Sequence, residues 1–422
     1  MKFKFMTIFV LALSMMMSNI QTTYAADKPS DSQSLPVVHG EGAYLIDVQS
    51  GQTLFAKNPN EQLAPASTTK IMTGLLAIER GNLNDTVTAS STLLNNKLVY
   101  GTQIYLEPGE KMSLKDLLYA MLLNSANDAA VTVAEHIGGN VSKFVDLMNQ
   151  RALEIGATRT HFVNPSGLTA DGHVTTAHDL ALIARTAYQN PVFAQYVRTK
   201  NYVIPRAKPD MPTQMVNENK LLWRDSEVDG IKTGYTAAAE NCLVASATRN
   251  GRQLIGVILK SPGREIYTDM QAMLDYGYKQ YADKIFKPAG SVLTSITVNQ
   301  EPVDLKIDRP IYLTQGVNDQ TPADLTLKVS GPKNALNSVE EGQEVGRVEV
   351  YDGTTLLDTL PLKAGKTITL PRASAKSLKP DFSWQAGIII ASLFVLIFYR
   401  RKIMAKRLAQ KRILLARRRE SS

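Results

Sequence analysis

The 422-residue chain holds a single cysteine, Cys242, so no intrachain disulfide can form. Cys242 lies in the apolar run Asn241-Cys242-Leu243-Val244-Ala245, where a small buried hydrophobe is expected rather than a reactive thiol. An exported protein without disulfides fits a Gram-positive surface, where folding relies on no oxidising machinery. The five histidines, His39, His136, His161, His173 and His178, form no cluster with metal-ligand spacing. Of these, His161 and His173 fall in a loop-rich stretch and read as structural. A phosphate-cradling glycine loop and a dinucleotide fingerprint are both missing, so neither cofactor nor metal is expected. A basic nucleic-acid face is missing too, although the net charge is +8. The last 23 residues hold ten Lys/Arg and one Glu, and the first 26 hold Lys2 and Lys4. Residues 27–399 therefore carry a net −3, and the basicity belongs to the termini.

Long hydrophobic runs are confined to the two ends. Lys2 and Lys4, an apolar run from Phe5 to Met17 and then Thr23-Tyr24-Ala25-Ala26 read as a signal peptide over 1–26, cleaved near Ala25 or Ala26, with a polar leader over 27–36. The run 382–399 is apolar apart from Ser383, Gln385 and Ser392, has Trp384 and Tyr399 near its edges, and meets Arg400-Arg401-Lys402. It is expected to be a transmembrane helix, single-pass, with the basic tail 400–422 in the cytoplasm and everything before it outside. The tail either lies as an amphipathic helix on an anionic inner leaflet or is simply solvated. Leu370-Pro371-Arg372-Ala373-Ser374 lacks the Thr and Gly that flank the cleaved bond of a sortase signal and is set aside.

Between the ends the apolar share of 44% is enough for real cores, and the chain changes character once. Residues 37–287 mix strand and helix patterns. Ala43–Asp47 and Thr53–Lys57 flank Gln49-Ser50-Gly51 as a hairpin, and Leu243–Thr248 and Gln253–Lys260 flank Asn250-Gly251 as another. Helices are expected from Ser67 to Arg80, from the Ser113 cap to Leu123, from Asn127 to Ile137, from the Thr176 cap to Tyr188, and from Tyr267 to Tyr281. The pattern is α+β, an antiparallel sheet flanked by helices. Residues 288–378 carry short β-rich runs separated by Gly, Pro, Asn and Asp, as in a small all-β sandwich. This module shows no catalytic cluster and is expected to be a spacer or docking platform.

Three short motifs stand in order: Ser67-Thr68-Thr69-Lys70, Ser125-Ala126-Asn127 and Lys232-Thr233-Gly234. A second Ser-x-x-Lys, Ser330-Gly331-Pro332-Lys333, contains a turn-forming Gly-Pro, so its ends cannot share a helix face. Lys-Thr-Gly is expected only about 0.1 times in a chain this long. Taken singly, each has a plainer reading: Ser67 and Asn127 as helix caps, Lys70 as a solvated lysine. Together they supply an acyl-transfer site without histidine. Serine is a poor nucleophile and needs a base beside it. Lys70, one helical turn away, can be that base if burial or a nearby cation such as Lys232 lowers its pKa. Ser125 can relay a proton to the leaving amine, and Asn127 can hold Lys70 or the substrate amide. The Lys232 strand is expected at a sheet edge, where an extended substrate can pair beside Gly234 while Thr233 and Lys232 meet a carboxylate.

These are the active-site serine motifs shared by penicillin-binding proteins and serine β-lactamases. Residues 37–380 resemble a low-molecular-mass penicillin-binding protein of the D-alanyl-D-alanine carboxypeptidase type. Asp229–Thr236, Leu243–Thr248, Asn164-Pro165-Ser166-Gly167-Leu168 and Thr176–Leu180 add to the likeness. The resemblance implies that Ser67 is acylated, that Lys70 is its general base, and that Ser125, Asn127 and Lys232 complete the proton network. It implies an oxyanion hole of the Ser67 and Tyr235 backbone N–H groups. It implies a peptidoglycan stem peptide ending in D-Ala-D-Ala as substrate, covalent inhibition by β-lactams, a C-terminal β-rich domain and membrane attachment. Two positions depart from the pattern. Tyr235 stands where some members have His, and Glu218 stands where some have a carboxylate-binding Arg, which leaves that task to Thr233, Ser125 and Lys232. A class A β-lactamase would need a Glu-x-x-Leu-Asn stretch that is missing here. The remaining alternatives are a D,D-transpeptidase or endopeptidase on the same scaffold, or a catalytically silent wall-binding module.

Overall fold

The structure is a computed structural model that describes residues 34–419 apart from 207, 209, 320–324, 333–335 and 370–383. The expected signal peptide, the start of the leader and Leu370–Ser374 lie outside the described residues.

The first unit is built on a five-stranded antiparallel sheet. Its strands run in the order Thr53–Lys57, Gly42–Asp47, Arg252–Ser261, Glu240–Arg249, Val228–Thr236. Successive side chains of a strand point to opposite faces, and here both faces are covered. Tyr44, Ile46, Val257 and Leu259 join one core with Met72, Leu76 and Leu118, while Ala43, Leu45, Leu254 and Ile258 join a second with Met270, Met273 and Leu274. Double coverage explains why these strands show little polar alternation. The tight hairpin falls at Asn250-Gly251, with φ of 52° and 80° as a two-residue turn matched to the strand twist demands.

Helix Lys70–Arg80 runs through the first core with residues 70–77 all buried. A short 3₁₀ turn, Ala66–Thr69, feeds it, and Gly81 ends it. Leu114–Leu123 starts at Ser113, whose Oγ accepts the Asp116 N–H at 3.1 Å. Asn127–Gly138 stops at Gly139 in the left-handed region. Thr176 caps Ala177–Tyr188 through the Asp179 N–H at 3.0 Å, and Ile266–Gln280 covers the other face. Three helices add to those expected, Val141–Ile155, Pro191–Arg198 and the single turn Leu221–Arg224.

The second unit is all-β. Strand Tyr281–Lys287 pairs with Ile311–Gly316, so pairing within this unit begins on the near side of the expected boundary at 287. A five-stranded sheet in the order Val292–Val298, Glu301–Lys306, Thr355–Ala364, Glu344–Asp352, Thr326–Ser330 packs with that pair around one core that includes Val303, Leu313, Val348 and Leu360. Ser330 is thus a strand residue, which rules out a helical Ser-x-x-Lys there. The two units are stitched at the turn after Asp47. Arg185 Nε donates to Val48 O and its Nη1 to Leu357 O, both at 2.8 Å, and Ser50 Oγ meets Thr314 Oγ1 at 2.7 Å.

The last described element is the helix Trp384–Arg419. Among the described residues no helix is long and apolar enough to cross a membrane. The expected span over 382–399 is not upheld there: its first two residues lie outside the described ones, and Arg400-Arg401-Lys402 cut off the apolar run after Tyr399.

Candidate active site

The nucleophile's local geometry comes from one unusual backbone step. Ala66 has φ of 46°, and the 3₁₀ turn it opens places Ser67 at the edge of a cleft. Thr68 Oγ1 donates to Pro65 O at 2.6 Å and pins the turn. Lys70 follows as the first helical residue, wholly buried. A lone lysine on a surface helix would be solvated; this one is enclosed by three oxygens. Lys70 Nζ lies 2.9 Å from Ser67 Oγ, 2.7 Å from Asn127 Oδ1 and 2.7 Å from Ser166 O.

The identity of those oxygens fixes what Lys70 can do. Asn127 Nδ2 donates to Tyr100 O at 2.5 Å, so Oδ1 faces the lysine and can only accept. Ser166 O is a carbonyl and can only accept. A neutral amine has two N–H groups and one lone pair. As an ammonium Lys70 donates to all three oxygens; as a neutral amine with both N–H groups on the two carbonyls, it would turn its lone pair to Ser67 Oγ and accept the serine proton. Burial holds the Lys70 pKa well below the usual lysine range, and the nearby Lys232 ammonium lowers it further; Glu218 and Asp128 pull the other way.

The Ser166 carbonyl is held in turn by a tight turn over 164–168. Asn164 Oδ1 accepts N–H groups from Ser166, Gly167 and Leu168 at 3.2, 2.8 and 3.1 Å. Thr73 Oγ1 ties Pro165 O to the helix at 2.6 Å. Gly167 has φ of +87°, and a Cβ there would stand 1.8 Å from Ala66 O. The turn therefore lies directly on the backbone of the nucleophile. His173 braces the far side. Its Nδ1 accepts the Val163 N–H at 2.9 Å, which leaves Nε2–H to donate to Thr69 Oγ1 at 2.9 Å. Burial, then His161 and Lys70, push its pKa down to about 4, so it stays neutral.

Ser125 sits between helices Leu114–Leu123 and Asn127–Gly138 with φ of +61°, buried, at the cleft wall. Its Oγ has no hydrogen-bond partner among the described residues and is free to serve a ligand. Asp128 anchors the loop above: its carboxylate accepts N–H groups from Ile104 at 3.2 Å and Leu106 at 2.9 Å. Lys232, Thr233 and Gly234 lie on the edge strand as expected. A Cβ on Gly234 would stand 2.9 Å from Ser67 N, so only glycine lets the Gly234–Tyr235 backbone run alongside the nucleophile. Lys232 is buried, which lowers its pKa, and its Nζ is 3.6 Å from Glu218 Oε2. Thr233 Oγ1 donates to the same oxygen at 3.4 Å. The cleft, about 450 Å³, is lined by Ser67, Ser125, Glu218, Thr233, Gly234 and Tyr235 among others.

All the residues singled out by sequence thus converge on one site. Three partners were not singled out for these roles. Ser166 and Tyr100 act through backbone carbonyls, which residue type does not encode. The Asn164 turn was visible as Asn-Pro-Ser-Gly, the composition of a tight turn. Cys242 is buried as expected, and burial pushes its thiol up to about 12. No group of three His, Cys, Asp or Glu placed to hold a metal ion occurs among the described residues.

Comparison with known proteins agrees with this geometry. Residues 29–263 match the D-alanyl-D-alanine carboxypeptidase family, and residues 281–370 match the C-terminal domain of penicillin-binding protein 5. The chain is 34% identical over 335 residues to the D-alanyl-D-alanine carboxypeptidase DacF of Bacillus subtilis, covering 77% of this chain and 84% of that one. Penicillin binding protein 5 from Haemophilus influenzae superposes with a TM-score of 0.61 at 27% identity, covering 80% of this chain and 99% of that one. The D-alanyl-D-alanine carboxypeptidase DacD from Francisella tularensis gives 0.57 at 26% identity, covering 81% and 97%. The chain belongs to the D-alanyl-D-alanine carboxypeptidase family of serine hydrolases, with its penicillin-binding-protein α+β fold and C-terminal β domain.

Proposed function

We propose that this chain removes the terminal D-alanine from peptidoglycan stem peptides ending in D-Ala-D-Ala through an acyl-enzyme on Ser67, and that β-lactams block it by acylating the same oxygen. The observation that carries the reading is Lys70 Nζ, buried, 2.7 Å from each of two carbonyl oxygens and 2.9 Å from Ser67 Oγ. In the first step Ser67 Oγ attacks the carbonyl carbon of the penultimate D-alanine while its proton passes to Lys70 Nζ. The backbone N–H groups of Ser67 and Tyr235 receive the oxyanion. The tetrahedral species collapses by breaking the C–N bond, and Ser125 relays the proton from the Lys70 ammonium to the departing amine. Water then attacks the ester carbonyl as Lys70 takes its proton, and the acyl C–Oγ bond breaks as Lys70 passes that proton to Ser67 Oγ, which restores the free serine and the neutral amine. Thr233 and Lys232 receive the terminal carboxylate, and the peptide pairs along the Lys232–Tyr235 edge. The family-level match to D-alanyl-D-alanine carboxypeptidases supports this assignment of roles.

Membrane attachment is part of the same proposal. Its support is the exposed apolar run Ile388–Ile390 and Leu393–Tyr399, followed directly by Arg400 and Arg401. On this reading the catalytic unit works outside the cell membrane after removal of residues 1–26.

Intact-mass analysis with a β-lactam, then incubation with a D-Ala-D-Ala pentapeptide, tests the function. A single adduct absent from Ser67→Ala, with release of one D-alanine, is the expected result. An adduct without D-alanine release, but with transfer to an added amine, would instead establish a transpeptidase. No adduct would establish a silent binding module.

A further inference from the structure

Glu218 stands where the reaction least wants an anion. Its Oε2 lies 3.4 Å from Thr233 Oγ1 and 3.6 Å from Lys232 Nζ, the two groups assigned above to the substrate carboxylate. The backbone that carries it is firmly held. Asn217 Nδ2 donates to Val197 O at 3.0 Å, Asn219 Nδ2 donates to Gly230 O at 2.7 Å, and both asparagines are buried. Between these fixed neighbours the Glu218 side chain is 42% exposed and projects into the cleft. A fixed Cα with a half-exposed side chain is a pivot: the carboxylate can leave the cleft without moving the strand.

The geometry points to Glu218 as a specificity-determining residue, a resident carboxylate that competes with the terminal carboxylate of the substrate for Thr233 and Lys232. This rests on the carboxypeptidase reading and deepens it. The free enzyme has its carboxylate subsite already filled by its own side chain. An acid-terminated ligand must displace Glu218 and then remain near its charge. A ligand whose terminus is amidated or esterified meets no like charge. The site therefore discriminates less in favour of acid-terminated ligands than its hydroxyl and buried ammonium alone would allow, and it suits stems whose terminal carboxylate is masked.

The experiment compares kcat/KM for a peptide ending in D-Ala-D-Ala with that for the same peptide amidated at its C-terminus, in the wild-type protein, Glu218→Gln and Glu218→Lys. Two like charges about 6 Å apart at a half-exposed site give roughly tenfold discrimination. Glu218→Gln should raise the acid-to-amide ratio about tenfold through KM for the acid, and Glu218→Lys should raise it further. Glu218 also acts on Lys70 through charge, and that route moves both substrates together. A parallel rise for acid and amide would therefore overturn the proposal, as would a fall for the acid. The same ratio is read as Ser67 acylation by a penicillin and by its methyl ester. If no D-alanine is released from any peptide, the hydrolytic reading fails while this second ratio still decides the role of Glu218. Melting curves of the variants confirm that folded proteins are compared.

Discussion

Gly167→Ala tests how closely the 164–168 turn lies on the nucleophile. At φ of +87° an alanine is strained by about 1–2 kcal/mol on backbone grounds alone. Its Cβ would also stand 1.8 Å from Ala66 O and 2.9 Å from Ser67 N, against an ordinary contact nearer 3.4 Å. The backbone must give by more than an ångström, and overpacking of this kind costs about 1–3 kcal/mol. The two effects together give about 2–5 kcal/mol, or a fall in Tm of about 4–20 °C for a unit of this size. The groups that must move are the carbonyl before Ser67 and the Ser67 N–H, so acylation should suffer beyond the stability loss. A misplacement of about 1 Å is expected to cost about 10²-fold in rate. The assay is the second-order rate of Ser67 acylation by a fluorescent β-lactam, read beside thermal melting. Gly172→Ala is the control. It has a similar φ of +76°, but its Cβ would meet nothing nearer than His161 Nδ1 at 3.8 Å. That variant should lose stability and keep its acylation rate. Wild-type acylation and melting in Gly167→Ala would refute the packing of this turn on Ser67.

Other consequences follow from the same framework. His173 is neutral when folded, with its pKa at about 4, and titrates at 6.5 when unfolded. Between these values the unfolded chain binds the extra proton, so stability is full above pH 6.5 and falls with pH down to about 4, by about 3 kcal/mol. Urea melts from pH 4 to 7 should show this slope in the wild-type protein and a shallower one in His173→Gln; equal slopes would count against the buried neutral imidazole. Arg185→Ala removes two hydrogen bonds to backbone carbonyls across the joint between the units, worth about 2–4 kcal/mol. Limited proteolysis should then cut near the joint faster, while acylation of Ser67 stays within twofold of wild type. Thr233→Val should raise KM for acid-terminated peptides more than it lowers kcat, measured by D-alanine release, because its hydroxyl meets the leaving residue and not the reacting carbonyl.

Local chemistry made much of the fold legible. The Asn250-Gly251 hairpin, the Ser113 and Thr176 caps and the Gly81 and Gly139 stops are short-range devices, and each falls where its residues demand. Helix Val141–Ile155 carried the same kind of signal: an Asn140 cap, a buried Phe144–Met148–Ala152 stripe and Gly156 at φ of 92°. The membrane span is not upheld among the described residues, where Arg400-Arg401-Lys402 end the apolar run and its first two positions are not described. Within the site, side-chain motifs were readable and backbone partners were not. Asn127 is 57 residues from Lys70 and Ser166 is 96, so only the tertiary fold reveals that two carbonyl oxygens hold the Lys70 nitrogen. Glu218 was legible as a misfit, but its closeness to Lys232 and Thr233 depends on how the segment after Met215 crosses the edge strand.

The central claim is that the Lys70 amine is uncharged at neutral pH with its lone pair on Ser67. Nitrogen NMR of the lysine side chains, with Lys70 and Lys232 assigned by comparison with Lys70→Met and Lys232→Met, measures this directly. Burial beside a second cation lowers the Lys70 pKa, so the expected result is a neutral-amine signal for Lys70 at pH 7 that becomes ammonium only on acidification, with the acylation rate falling in step. A Lys70 signal that is ammonium throughout the range in which acylation is fastest would contradict the account.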